Sequence, residues 1–247
     1  MTPLAAIVVA SLLESLASFS GVFLVLWNEE RIRKFLHTIL SFAVGALLGT
    51  VFLDILPEAL EGGDAESVLL WTLGGIIIFF VLEKVLFWYH HHEEGSIPHE
   101  HSPGHLVLIG DLIHNAVDGV AIALSFMASM EVGIATTIAV LVHEIPTEIG
   151  DFLVLLHSGF SRGKAMWYNF IISLSTIAAA LVTYQLGPVL EPYLPIALAL
   201  VAGNFLYIAI ADLMPELQEQ AGWRHSLFQT FLLILGILLV SAGHLLA

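Results

Sequence analysis

The chain has 247 residues, 58% of them hydrophobic and only 12% charged, with a formal net charge of −15. Soluble domains carry about 25% charged residues, so the composition excludes an ordinary soluble domain and predicts an all-α polytopic membrane protein. The excess of acid argues against a nucleic-acid partner, and the absence of cysteine excludes a disulfide framework and any thiolate metal site.

Apolar stretches near 20 residues long predict eight spans, at about 4–27, 35–60, 67–88, 105–129, 132–157, 165–186, 193–217 and 225–246. They fill residues 1–247 as one membrane domain, with no soluble domain and no leader beyond the first span. Span one carries a lone acid, Glu14, expected to pair with a neighbouring helix, and is followed by Arg31, Arg33 and Lys34. Span two ends in Asp54-Ile55-Leu56-Pro57-Glu58, and span three in Glu83 and Lys84. The connection at about 89–104 is rich in histidine, with His90, His91, His92, His99 and His101, and is broken by Gly95, Pro98 and Pro103. It reads as a hydrated low-affinity metal collector, against the plainer reading of a solvated tether. Span four contains His114-Asn115-Ala116-Val117-Asp118-Gly119, and span five His143-Glu144-Ile145-Pro146-Thr147-Glu148. Arg162 and Lys164 separate spans five and six, span seven ends in Asp212-Leu213-Met214-Pro215-Glu216, and Arg224 precedes span eight.

All seven basic residues fall in odd-numbered connections or at their edges. By the positive-inside rule those connections face the cytoplasm, which puts both termini outside and lets the acidic outer loops concentrate cations. The Asp-x-x-Pro-Glu motif recurs at the ends of spans two and seven, which run in opposite directions, and the polar clusters of spans four and five are likewise in register. This predicts an inverted repeat, three spans, a central pair, then three inverted spans, with an ion site at the midplane of the central pair.

The chemistry of that centre follows from cost. An ionisable group at the bilayer centre costs roughly 2.5–3.5 kcal/mol even on mild insertion scales, and two histidines with several acids in register need a common use. His114 and Asp118 stand one helical turn apart, as do His143 and Thr147, with Glu144 and Glu148 on an adjacent face. Imidazole with carboxylate and an Asn amide suits zinc, iron, manganese or cadmium, whereas calcium and magnesium favour oxygen alone. Proton relay is the competing role for the histidines. Pro146 removes a backbone hydrogen bond between the two glutamates and frees a carbonyl there, and Pro57 and Pro215 kink their spans or merely pack.

His114-Asn115-x-x-Asp118-Gly119 and His143-Glu144-x-Pro146-Thr147-Glu148-x-Gly150-Asp151-Phe152 resemble the signatures of the ZIP divalent-metal transporters, in the branch with H-E-x-P-H-E-x-G-D-F. Gly49 through Glu58 and Ala202-Gly203-Asn204-Phe205-Leu206-Tyr207 through Pro215-Glu216 are similar to that family too. The resemblance implies eight helices in a three-two-three inverted arrangement, often dimeric, moving zinc or related metals toward the cytoplasm. It implies one metal site from His114, Asp118 and His143, with Asn115, Glu144 and Glu148 supplying or flanking a second. Thr147 stands where the branch has a histidine ligand, so a weaker or single-metal site, or a shift toward manganese or iron, is expected.

Beyond the centre, Asp54 and Glu58 near the outer face and Asp111, Asp151, Asp212 and Glu216 toward the inner face are candidates for the ion pathway. Two rival functions fit part of this pattern. An intramembrane zinc hydrolase would use His-Glu-x-x-His, but Thr147 removes its second ligand. A metal sensor without flux would bind and not transport. With no large outer domain, a cell membrane, bacterial or plasma, is expected, or an organelle membrane in a eukaryote.

Overall fold

The computed structural model describes the backbone of residues 1–25, 29–93, 102–218 and 222–246, and the side chains of 1–18, 36, 38–85, 104–218 and 222–241. Among the described residues the secondary structure is entirely helical. Eight rods follow one another: α1 (Pro3–Val25), α2 (29–62), α3 (Ala65–Glu93), α4 (Ser102–Ala128), α5 (Met130–His157), α6 (Arg162–Gln185), α7 (194–218) and α8 (Trp223–Leu246). Short helical turns at Gly187–Leu190 and Glu191–Tyr193 join α6 to α7.

Side-chain caps set the starts of four rods, Thr2 accepting from the Ala5 amide at 3.3 Å ahead of α1. Asp64 Oδ2 accepts from the Ser67 amide at 3.0 Å ahead of α3, Ser129 accepts from Val132 at 3.2 Å ahead of α5, and Ser161 from Lys164 at 3.4 Å ahead of α6. Because Ser129 alone separates α4 from α5, the two motif-bearing helices are held as an adjacent pair.

Among the described residues, six segments are long and apolar enough to cross a membrane, Thr38–Gly62, Ala65–Val85, Gly104–Ala128, Arg162–Gln185, Gly187–Gln218 and Trp223–Ser241, and Pro3–Ser18 is a shorter apolar helix. α5 falls outside that group because Glu131, His143, Glu144, Glu148 and Asp151 dilute its apolar run. It is instead shielded by its neighbours, packing against α1, α2, α4, α6 and α8. The rods α1, α4, α5 and α6 pack closely on one another, α2 pairs with α8, and α3 pairs with α7. Small residues permit these approaches. A Cβ on Gly203 would stand 2.2 Å from the Thr72 carbonyl oxygen and one on Gly119 2.2 Å from that of Thr176, so α3 meets α7 and α4 meets α6 backbone to backbone.

The two Asp-x-x-Pro-Glu motifs distort their helices alike. α2 passes through a π-helical segment, Thr50–Ile55, before Pro57, and α7 through another, Ile208–Leu213, before Pro215. The Leu56 amide bonds Val51 and the Met214 amide bonds Ala209, five residues back in each case. A proline ring clashes with the carbonyl four residues earlier, and the wider turn displaces that carbonyl. The expectation of a simple kink is thus replaced by a π-helical turn, with Asp54 and Asp212 inside the two copies.

Candidate metal centre

α4 contributes His114 and Asp118 at i and i+4, and α5 contributes His143 and Glu144. These four residues offer ligand atoms that all lie within 4.8 Å of one another. His143 Nε2 stands 3.3 Å from His114 Nε2 and 3.3 Å from Asp118 Oδ2, while His114 Nε2 stands 3.4 Å from Glu144 Oε2 and 3.8 Å from Asp118 Oδ2. Zinc binds histidine nitrogen at roughly 2.0–2.1 Å, and two ligands at that distance on a tetrahedron stand about 3.3 Å apart. Three of these four separations match the edge of a zinc-sized tetrahedron.

The surroundings fix the donors. His143 Nδ1 lies 3.0 Å from the Ala139 carbonyl, which selects the Nδ1–H tautomer and leaves the Nε2 lone pair for a metal. Ser18 Oγ of α1 donates to Glu144 Oε1 at 3.0 Å. Asp118, His143 and Glu144 are fully buried, whereas the His114 side chain is 19% exposed and opens the site to solvent. Both Asp118 oxygens are buried without a hydrogen bond, and the Nε2 atoms of His143 and His114 stand 3.3 and 3.8 Å from Oδ2. A buried carboxylate without donors is costly, and a cation at this position offsets that cost.

A second group adjoins the first. Asp111, Glu144 and Glu148 bring carboxylate oxygens within 4.8 Å, so Glu144 belongs to both groups. Asn169 of α6 donates its amide to Glu148 Oε2, while Glu148 Oε1 and Asn169 Oδ1 are buried without hydrogen bonds. Asn115, expected to serve a metal, is otherwise engaged: its amide donates to Asp111 Oδ1 at 2.6 Å and its Oδ1 accepts from Thr176 at 3.1 Å. Thr147, at the expected third histidine position, turns its hydroxyl back onto the His143 carbonyl at 2.9 Å. Pro146 within α5 leaves the Val142 carbonyl without its helical donor.

A cavity of about 410 Å³ leads away from the centre, its walls including His114, Thr147, Asp151, Asp212 and Glu216. A smaller one of about 120 Å³ reaches His114 from another side, past Asp212, Tyr207 and Glu83, the last two hydrogen-bonded to each other. Four pathway candidates are thus placed: Asp111 in the second group, and Asp151, Asp212 and Glu216 along one cavity. Asp54 and Glu58 are not brought to either group; their segment packs at the other end of α7, where a Cβ on Gly62 would touch Pro195 at 3.1 Å. The collector positions lie outside the described residues, His90, His91 and His92 by their side chains and His99 and His101 altogether.

Sequence reasoning missed the third and fourth walls. Ser11, Glu14, Ser15 and Ser18 on α1, and Asn169, Ser173 and Thr176 on α6, recur at helical spacing within apolar rods and turn inward. A polar stripe of period near 3.6 in an otherwise apolar span was the signal available.

The chain matches the family model described as ZIP Zinc transporter over residues 2–107 and 104–243. It is 36% identical to zinc transporter ZIP13 of Pongo abelii, the match covering 94% of this chain and 77% of that protein. It is 30% identical to the ZIP13 homolog of Drosophila melanogaster over 94% of this chain and 88% of that protein. It is also 30% identical to zinc transporter SLC39A7 of Mus musculus, over 96% of this chain and 69% of that protein. The family consists of transporters, not enzymes, which removes the hydrolase reading. A multi-pass membrane chain, with two histidines and two acids converging from adjacent helices, belongs to the ZIP zinc transporter family.

Proposed function

We propose that the chain carries divalent transition-metal ions toward the cytoplasm, zinc foremost and cadmium, iron(II) or manganese with it, through a midplane site between α4 and α5. The observation that carries this reading is the set of 3.3–3.4 Å separations among His114, His143, Asp118 and Glu144, which suits a tetrahedral ion of zinc's size. Two imidazoles favour a borderline metal over calcium or magnesium. Glu144, shared with Asp111 and Glu148, offers the ion a next position without its leaving carboxylate, and Asp151, Asp212 and Glu216 continue an acidic lining along the cavity. Carboxylates replace the hydration shell that the ion sheds, so that it never stands bare in hydrocarbon.

The basic connections support a cytoplasmic side for this cavity and an outside position for both termini. The repeated motif, distorted alike in α2 and α7, supports an inverted three-two-three arrangement, with Asp54 and Glu58 at the outer mouth. The His-rich connection receives ions on the inner side. The protein works in a cell membrane as a homodimer.

Zinc titration of the purified protein tests the site. His114→Ala and Asp118→Asn are each expected to weaken zinc binding at least tenfold, and parental affinity in both would place the ion elsewhere.

A further inference from the structure

Glu14 is fully buried in α1 and takes no part in the reading above. Its described hydrogen-bonding neighbours are hydroxyls: Ser15 Oγ at 3.3 Å, Ser18 Oγ at 3.5 Å, and Thr176 of α6. No Lys, Arg or His among the described residues pairs with it. The charged groups acting most strongly on it are two acids of the metal centre, Glu144 and Asp118. Keeping a carboxylate charged in such a position, in a span that should be apolar, is costly, and a positive charge brought close offsets that cost.

Two of the hydroxyls beside Glu14, those of Ser18 and Thr176, also touch residues at or next to the centre. Ser18 Oγ is closest to Glu144 Oε1, at 3.0 Å. Thr176 Oγ1 lies 3.1 Å from Asn115 Oδ1, and Asn115 in turn holds Asp111 at 2.6 Å. Ser15 ties the same turn of α1 to the Ser173 carbonyl at 2.8 Å. Glu14 thus stands behind both acid groups, at the point where α1 meets α6.

We propose that Glu14 is a positioning residue of the metal centre: through Ser18 and Thr176 it orients Glu144 and Asn115, and its own charge, balanced by the bound dication, strengthens the hold on divalent metal. The inference rests on the metal reading above.

The test is zinc and manganese flux into proteoliposomes, with zinc titration, for the parent, Glu14→Gln and Ser18→Ala. Gln keeps the volume and one acceptor oxygen but removes the charge. Glu14→Gln is expected to raise the zinc KM and Kd at least tenfold, a change of about 1.4 kcal/mol, with maximal flux within about twofold of the parent. Ser18→Ala is expected to shift the same constants the same way by a smaller factor. A purely structural role would lower the amount of active protein, and so maximal flux, with KM unchanged; that result overturns the proposal, as does a parental Kd in Glu14→Gln. If Glu14→Gln fails to fold, Ser18→Ala decides alone, with unchanged KM counting against the proposal. Failure of the metal reading itself looks different, since zinc binding would then survive His114→Ala.

Discussion

Gly119→Ala probes how closely the centre depends on the packing of α4 against α6. The added Cβ would stand 2.2 Å from the Thr176 carbonyl oxygen, 2.9 Å from its carbon and 3.0 Å from its Cα, all backbone atoms that no rotamer change can move. Reaching an ordinary contact of about 3.4 Å requires the helices to part by roughly 1.2 Å. The Thr176 hydroxyl contacts with the Asn115 carbonyl and Oδ1, at 3.0 and 3.1 Å, then stretch beyond hydrogen-bonding range. Overpacking costs about 1–3 kcal/mol and the lost hydrogen bonding about 0.5–1.5 kcal/mol, together roughly 1.5–4.5 kcal/mol, a large part of a typical stability of about 5–15 kcal/mol. Thermal melting in detergent, followed by intrinsic fluorescence, should therefore show a clearly lower midpoint, and zinc affinity should fall with it because Asn115 and Asp111 lose their support. A variant that melts with the parent and binds zinc equally well would show that α4 and α6 do not meet at this contact.

Three further outcomes are expected. Thr147→His adds an imidazole one turn from His143 and should tighten zinc binding at least tenfold by calorimetry; unchanged affinity would mean that this position does not face the ion. Replacing Asp212 and Glu216 together by Asn and Gln should slow zinc flux severalfold in liposomes while leaving equilibrium affinity within twofold, because they line the cavity away from the centre; a matching loss of affinity would contradict their place on the path. Deleting residues 90–102 should leave transport through the centre intact and alter only its response to cytoplasmic zinc, and a loss of all flux would put that connection on the permeation path.

Much of the architecture was legible because a bilayer imposes a simple rule. Long apolar runs become helices, and among the described residues α2, α3, α4, α6, α7 and α8 contain segments long and apolar enough to cross a membrane. His114, Asp118 and His143, whose side chains come together in the structure, stood out in the sequence because ligand-type residues at helical spacing have few other uses in hydrocarbon. The details that escaped are those that depend on the partner chosen by each side chain. Asn115 could equally have turned to the ion, but Asp111 and Thr176 stand close enough to take both ends of its amide. Thr147 satisfies its hydroxyl on its own helix, an option open to threonine and closed to the histidine expected there. Glu14 read as a stray acid because its proximity to Glu144 spans 130 positions of sequence and arises only when α1 packs on α5. The π-helical turns before Pro57 and Pro215 are backbone responses that residue spacing does not encode directly.

The most direct test of the transport account is metal flux into liposomes holding the purified protein, with zinc, cadmium, manganese and iron(II) offered separately and the double variant His143→Ala, Glu144→Ala as control. Saturable zinc uptake that the double variant abolishes is the predicted result. Saturable zinc binding with no flux in the parent would contradict transport and point to a sensor, and flux that survives the double variant would move the path away from α5.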